Sequence, residues 1–378
     1  MVVAKHAATG SSPTAARPRP PRVFGRHGWA VFGTVVVALA GGIPLLNLAL
    51  PLGSPLHIPD YLIPLLGRLA CYALVALSMD LLWGYCGILS LGHGVFFALG
   101  GYIMGMHLSL SAARAGLYRT AWPPFMGFMQ RHSLPWFWTG FDHPLWALLM
   151  LLLVPALLAC GFGYLAFRSR IRGVYFSIIT QALTYAMMLL FLMNETGLGG
   201  NNGLTDFKTL LGFSLQEPTT RATLYGVTVM CVAAAYVLCR YVVRAKVGRV
   251  LAGIRDAESR LMFLGYNPLP YKLFVWTLSA VLCAMAGALY VPQVGIINPG
   301  EMHPANSIEM AIWVAVGGRG TLLGAMLGAL VINGAKSWLT AAYPDLWLFF
   351  LAALAIAVTL WLPGGLLGMG GGRRREKV

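Results

Sequence analysis

Few side chains in this sequence could do chemistry, and most of them are set singly into long apolar runs. His93, Thr180, Gln181, Thr184, Asn306, Glu309 and Asn333 are the main groups in or beside those runs that could hydrogen-bond a neutral amide. A second set, Asn201, Asn202 and Asp206, lies in the polar stretch GGNNGLTDF. Such scattered groups suit weak, reversible contacts with a small polar solute, since a path must release what it binds. Hydrolytic or covalent chemistry finds no footing: there is no H-E-x-x-H, no G-x-S-x-G and no pair of acids within an apolar run. Cys71, Cys86, Cys160, Cys231, Cys239 and Cys283 form no C-x-x-C and stand away from His at ligand spacing. They read as packing residues, so no metal site and no cofactor is expected.

Each lone polar group also has a plain structural reading. A buried His or Gln can bridge two helices, and glycines and asparagines suit tight turns. The choice depends on the elements that position them.

Those elements are membrane helices. The chain has 378 residues, 58% hydrophobic and only 10% charged, against about 25% charged in soluble domains. In water it would lack the charge to cover its surface; lipid removes that demand. Apolar runs long enough to span lie at 29–50, 61–82, 88–108, 145–167, 174–193, 222–243, 270–292, 308–334 and 346–362. The first is too long for a signal-peptide core and no clear cleavage site follows it. The net charge of +15 is concentrated at the two ends and in short loops. That is the positive-inside pattern, not a nucleic-acid surface.

Arg17, Arg19, Arg22 and Arg26 assign the N-terminus to the cytoplasm, and Arg373, Arg374, Arg375 and Lys377 do the same for the C-terminus. Arg168, Arg170 and Arg172, and then Arg244, Lys246, Arg249, Arg255 and Arg260, mark two further cytoplasmic loops. Two cytoplasmic ends need an even number of crossings, so one of the nine apolar runs fails to cross. The segment 308–334, interrupted by Gly317-Gly318-Arg319-Gly320, is the candidate. Broken backbone at membrane depth survives where it is buried in protein or lines a wet path, and Glu309 and Arg319 are placed to pair there. The expected fold class is all-α: a polytopic transmembrane helical bundle of about eight crossings plus one re-entrant or broken helix. The expected organisation is a disordered basic cytoplasmic arm over 1–27, a transmembrane domain over 28–365 and a basic cytoplasmic tail over 366–378.

The loop 244–269 carries its own signal. Val247, Val250, Leu251, Ile254, Ala257, Leu261 and Leu264 fall on one helical face. Asp256 and Arg260 sit at favourable i,i+4 spacing, and Gly265 then Pro268 end the helix. Acids among its basic residues point to docking on a protein rather than resting on lipid. The chain has no G-x-x-x-x-G-K-[ST] of its own, so a motor would be a separate chain.

Five stretches carry a family resemblance: LSLGHGVFFALGGYIMGM (89–106), GVYFSIITQALTYAMML (173–189), GGNNGLTDF (199–207), GRVLAGIRDAESRLMFLGY (248–266) and WVAVGGRGTLLGAMLGALVINGAKSW (313–338). Through them the chain resembles the permeases of branched-chain amino acid-type ABC importers, specifically the larger permease of the urea-type branch. The urea-type likeness rests on GGNNGLTDF, ITQALTYA (179–186) and YVPQVGIINP (290–299). The resemblance implies a multi-pass protein of the bacterial inner membrane that moves urea or a short amide by alternating access. It also implies a second related permease subunit, two cytoplasmic ATP-binding subunits and an extracytoplasmic solute-binding protein. Arg255, Asp256, Glu258 and Gly265 match the family's ATPase-coupling loop. His93, Thr180, Gln181, Thr184, Asn306 and Glu309 become candidates for the substrate path, with Gln181 offering amide chemistry suited to urea. Asn201, Asn202 and Asp206 become candidates for binding-protein docking. Import of branched-chain amino acids, and an autonomous small-amide channel, are the alternatives. A free-standing channel has no use for the amphipathic cytoplasmic helix.

Overall fold

Apolar runs that cannot offer their backbone to water must satisfy it internally, and the chain does so almost wholly with helices. The computed structural model describes residues 25–368 apart from 52–53, 118–121, 124, 127–133, 172, 344–345 and 362–364. The basic arm and tail, with Arg17, Arg19, Arg22, Arg172, Arg373, Arg374, Arg375 and Lys377, lie outside the described residues, apart from 25–27 and 366–368.

Among the described residues, eight helices are long and apolar enough to cross a membrane. They are α1 (His27–Leu48), α2 (Leu62–Cys86), α3 (His93–Arg114), α4 (Pro144–Arg168), α5 (Val174–Leu192), α6 (Pro218–Arg244), α8 (Pro268–Val294) and α10 (Leu322–Ala342). Between α6 and α8 lies α7 (Lys246–Phe263), and α9 (Pro304–Gly317) precedes α10. The described residues close with α11 (Trp347–Trp361) and the single turn α12 (Gly365–Gly368). The strands are two-residue fragments: β1 (Leu204–Thr205), β2 (Thr209–Leu210), β3 (Phe213–Ser214) and β4 (Ile296–Ile297).

Helices α2, α3 and α8 form the centre of the bundle. Small residues let them approach: a Cβ on Gly100 would collide with the Ala284 carbonyl, and one on Gly287 with the Phe97 carbonyl. Phe96 and Phe176 then pack edge-on against Trp276, with ring centroids 5.3 and 5.4 Å apart. The Trp276 indole donates to the Ala159 carbonyl of α4 at 2.8 Å, which satisfies its buried N–H. Helix α1 sits at the periphery, touching α6 through the stacked rings of Phe32 and Tyr236.

The eight spans are not the eight that the apolar runs single out. The break falls at Gly318–Thr321 as the glycine run predicts, with Gly318 and Gly320 at positive φ. Its second half, however, runs for 21 residues and is itself long enough to cross. The apolar count stops near Asn333 because Lys336 follows, yet the helix continues, since that lysine has an anionic partner in α9. Among its described residues, the last apolar run forms the 15-residue α11. Helices α9 and α10 make a tight hairpin in which Gly317 abuts the Gly324 carbonyl and Gly328 the Trp313 carbonyl. Its turn lies against the Cys86 end of α2.

A second difference lies ahead of α3. The run 88–108 predicts a helix from the start, but residues 87–92 are not helical and the helix begins only at His93. Gly87, at φ +78°, closes α2 in the left-handed conformation that favours glycine.

Candidate functional site

One set of charged groups gathers on the flank where α2, α8, α9 and α10 meet. Glu309 on α9 receives both of its oxygens' contacts from Lys336 of α10, at 2.9 and 2.8 Å. It does not pair with Arg319, as the sequence leads one to expect; Arg319 lies beyond the end of α9, four turns of helix from the lysine's level. Arg68 of α2 donates to the Ser337 hydroxyl at 3.1 Å. One turn on, the Tyr72 ring lies 5.1 Å from Trp313 of α9 and 5.8 Å from Tyr290 of α8.

Glu301, in the 3-10 turn Pro299–Met302, completes this group. Burial raises its carboxyl above the ordinary range, and Glu309 adds to the rise. Lys336, the Tyr290 hydroxyl and Arg68 pull the other way. Asn306 holds this turn in place, its amide donating to the Gly300 carbonyl at 2.9 Å. Sequence reasoning finds Asn306 and Glu309 but misses Arg68, Tyr72, Glu301 and Lys336. The signal for Lys336 and Arg68 is present in the sequence, as lone cations in otherwise apolar helices.

The other predicted path residues are fixed in the interior. The Ser279 hydroxyl donates its one proton to the Ser78 carbonyl at 2.6 Å. It therefore accepts from His93 Nε2, 2.8 Å away, which assigns the proton to that nitrogen. The Thr180 hydroxyl accepts from Leu91 N at 3.0 Å, and Thr184 donates to the Leu91 and Thr180 carbonyls. These threonines hold the non-helical segment before α3, whose backbone would otherwise lack partners. Asn333 donates to its own helix at Ala329. Gln181 is half-buried on α5 and draws no hydrogen bond from the described residues.

Asn201 and Asn202 are exposed in a 3-10 turn, and Asp206, at φ +63°, forms an ion pair with Lys208. This loop is pinned to the segment after α8. β1 and β4 pair antiparallel, with Leu204 opposite Ile297 and Thr205 opposite Ile296.

The predicted amphipathic helix is present as α7. Val250, Leu251 and Ile254 are buried, but Phe263 and Leu264 are 92% and 75% exposed. Ala257 leaves helical geometry, at φ −160° and ψ 77°. That kink breaks the i,i+4 phase, and Asp256 pairs with its neighbour Arg255 at 2.8 Å rather than with Arg260. Glu258 points back into the protein and bonds Lys272 of α8 at 2.6 Å. Gly265 caps the helix at φ +84° and is exposed.

Arg255 also reaches the end of α2, donating to the Gly84 carbonyl at 2.9 Å. Arg319, in the break between α9 and α10, donates to the adjacent Trp83 carbonyl at 3.2 Å and lies over the Trp83 ring. Partial burial and the neighbouring Arg255 lower the Arg319 pKa, while Asp80 raises it. Two guanidinium groups thus meet the carbonyl end of one helix, where cations are favoured.

Comparison with known proteins agrees with this architecture. The high-affinity branched-chain amino acid transport system permease protein LivM of Escherichia coli is 24% identical over 322 residues, covering 79% of this chain and 68% of its own. LivH of the same organism is 26% identical over 315 residues, covering 79% and 91%. BraD of Pseudomonas aeruginosa, a permease protein of the same kind of system, is 25% identical over 311 residues with the same coverage. No solved structure matches. The family described as the branched-chain amino acid transport system permease component matches residues 61–359, from α2 into α11. The chain belongs to that family of membrane permeases.

Proposed function

We propose that this permease carries urea, or a similarly small amide, as one subunit of an ATP-driven importer of the bacterial inner membrane. It works with a second related permease, two ATP-binding subunits on the cytoplasmic side and a solute-binding protein outside. Both termini and α7 then face the cytoplasm, following the placement of Lys and Arg. The observation that carries the urea reading is the β1–β4 pair. It joins GGNNGLTDF to YVPQVGIINP, two of the three stretches that bear the urea-type likeness, so they form one structural unit beside Glu301. In this reading Asn201, Asn202 and Asp206 meet the binding protein. Arg255, Asp256, Gly265 and the exposed Phe263 meet an ATPase, and Glu258 orients α7 through Lys272.

Import of branched-chain amino acids is the second reading, favoured by the named systems of LivM, LivH and BraD. Reconstitution of the complete importer separates the two. ATP hydrolysis stimulated by urea-loaded binding protein, and not by leucine-loaded, is the expected result. Stimulation by leucine alone selects the second reading, and uptake by this chain without ATP overturns both.

A further inference from the structure

The flank of α2, α8, α9 and α10 presents charged and polar groups where a lone bundle would meet lipid. Tyr72, Glu301, Asn306 and Lys336 are only half-buried, and ionisable groups on a membrane face mark a cavity or a partner. The group is balanced in charge, with Arg68 and Lys336 against Glu301 and Glu309. Lys336 gives two hydrogen bonds to Glu309. Two donors in the same group have no hydrogen-bond partner among the described residues: Arg68 Nε and Trp313 Nε1. Trp313 is only 3% exposed, so its idle N–H is costly unless something visits it.

From this we infer that Tyr72, Trp313, Glu301 and Arg68 form this subunit's half of the solute site, one shaped for a planar uncharged amide. The Glu301 carboxyl accepts the amide N–H, while Trp313 Nε1 and Arg68 Nε donate to its carbonyl. The tilted rings of Tyr72 and Trp313 receive its flat face. The second permease closes the site. The inference rests on the urea reading for the identity of the solute, but not for the location of the site.

The test uses the complete importer in liposomes at saturating binding protein, with labelled urea and labelled leucine as probes. Glu301→Gln and Trp313→Phe are each expected to cut the urea carried per ATP hydrolysed by about tenfold, the scale of one lost hydrogen bond, and Tyr72→Leu, which removes the flat ring, is expected to cut it as well. Trp136→Phe, an exposed aromatic in the 3-10 turn before α4, leaves the ratio unchanged. Assembly of each variant is checked by size exclusion, and Trp313→Phe, which keeps a ring while removing the N–H, carries the test where another variant fails to assemble. An unchanged ratio in every assembled flank variant overturns the site. Wild-type importer that carries leucine and not urea, with the same variants cutting leucine uptake, keeps the site and removes the urea reading.

Discussion

Asp80 accepts a hydrogen bond from the backbone N–H of Gly320 at 2.7 Å, tying the interior of α2 to the break between α9 and α10. The carboxylate is buried, and Gly84 beside it leaves room for the approach: a Cβ there would meet both Asp80 and the Gly320 backbone. With Arg319 on Trp83 and Arg255 on Gly84, three contacts bind α7, α2 and the α9–α10 turn into one junction.

Asp80→Ala removes an acceptor and leaves the Gly320 N–H buried without one, a loss of about 1–3 kcal/mol. Asp80→Asn keeps an oxygen in the same position and is expected to lose much less. The check is the unfolding temperature of the purified permease in detergent. Equal drops for the two variants would show that the bond contributes nothing.

Gly317→Ala is expected to open the α9–α10 hairpin, because the new methyl would collide with the Gly324 carbonyl, which as backbone cannot move aside. Overpacking of this kind costs about 1–3 kcal/mol even where side chains can adjust. Gly334→Ala, on the same helix α10, meets nothing within 4 Å and is expected to be neutral or mildly stabilising. Expression level and monodispersity of the two variants compare them directly.

These features were unequally legible in the sequence. The α7 face and the α9–α10 break could be read, because helical period and a glycine run are local signals. The partner of Glu309 could not: Lys336 is 27 residues away, and which residues meet depends on how closely the glycines let two helices pack. The apolar run over 88–108 hid the non-helical segment 87–92, so Thr180 and Thr184 read as path residues when they hold that segment in place. Asp80 went unmarked because a single acid inside an apolar run shows nothing of the N–H that meets it 240 residues later.

Lys336→Met is expected to destabilise the protein by leaving Glu309 buried without its counter-ion. Full burial would set the loss at about 3–5 kcal/mol. Lys336 is more than one-third exposed, so water screens the pair and the loss falls below that range. Adding Glu309→Gln to Lys336→Met removes the stranded charge and should recover most of the unfolding temperature. A double variant no more stable than the single would show that the pair does not act as one unit.

The proposed ATPase contact divides into residues that face outward and one that does not. Phe263 is almost fully exposed at the tip of α7, and Asp256, ahead of the Ala257 kink, is exposed as well. Phe263→Ala and Asp256→Ala should leave the isolated permease as stable as wild type while reducing co-purification of the ATP-binding subunits several-fold, as loss of an aromatic anchor does at other interfaces. Glu258→Ala should behave in the opposite way. It strands Lys272, whose side chain is 9% exposed, and so lowers the unfolding temperature of the permease alone. Weaker co-purification from Glu258→Ala then follows from a displaced α7, and restoring neutrality with Lys272→Met should bring part of it back. If Glu258→Ala weakened association with no change in the permease's own stability, Glu258 would belong to the contact surface after all.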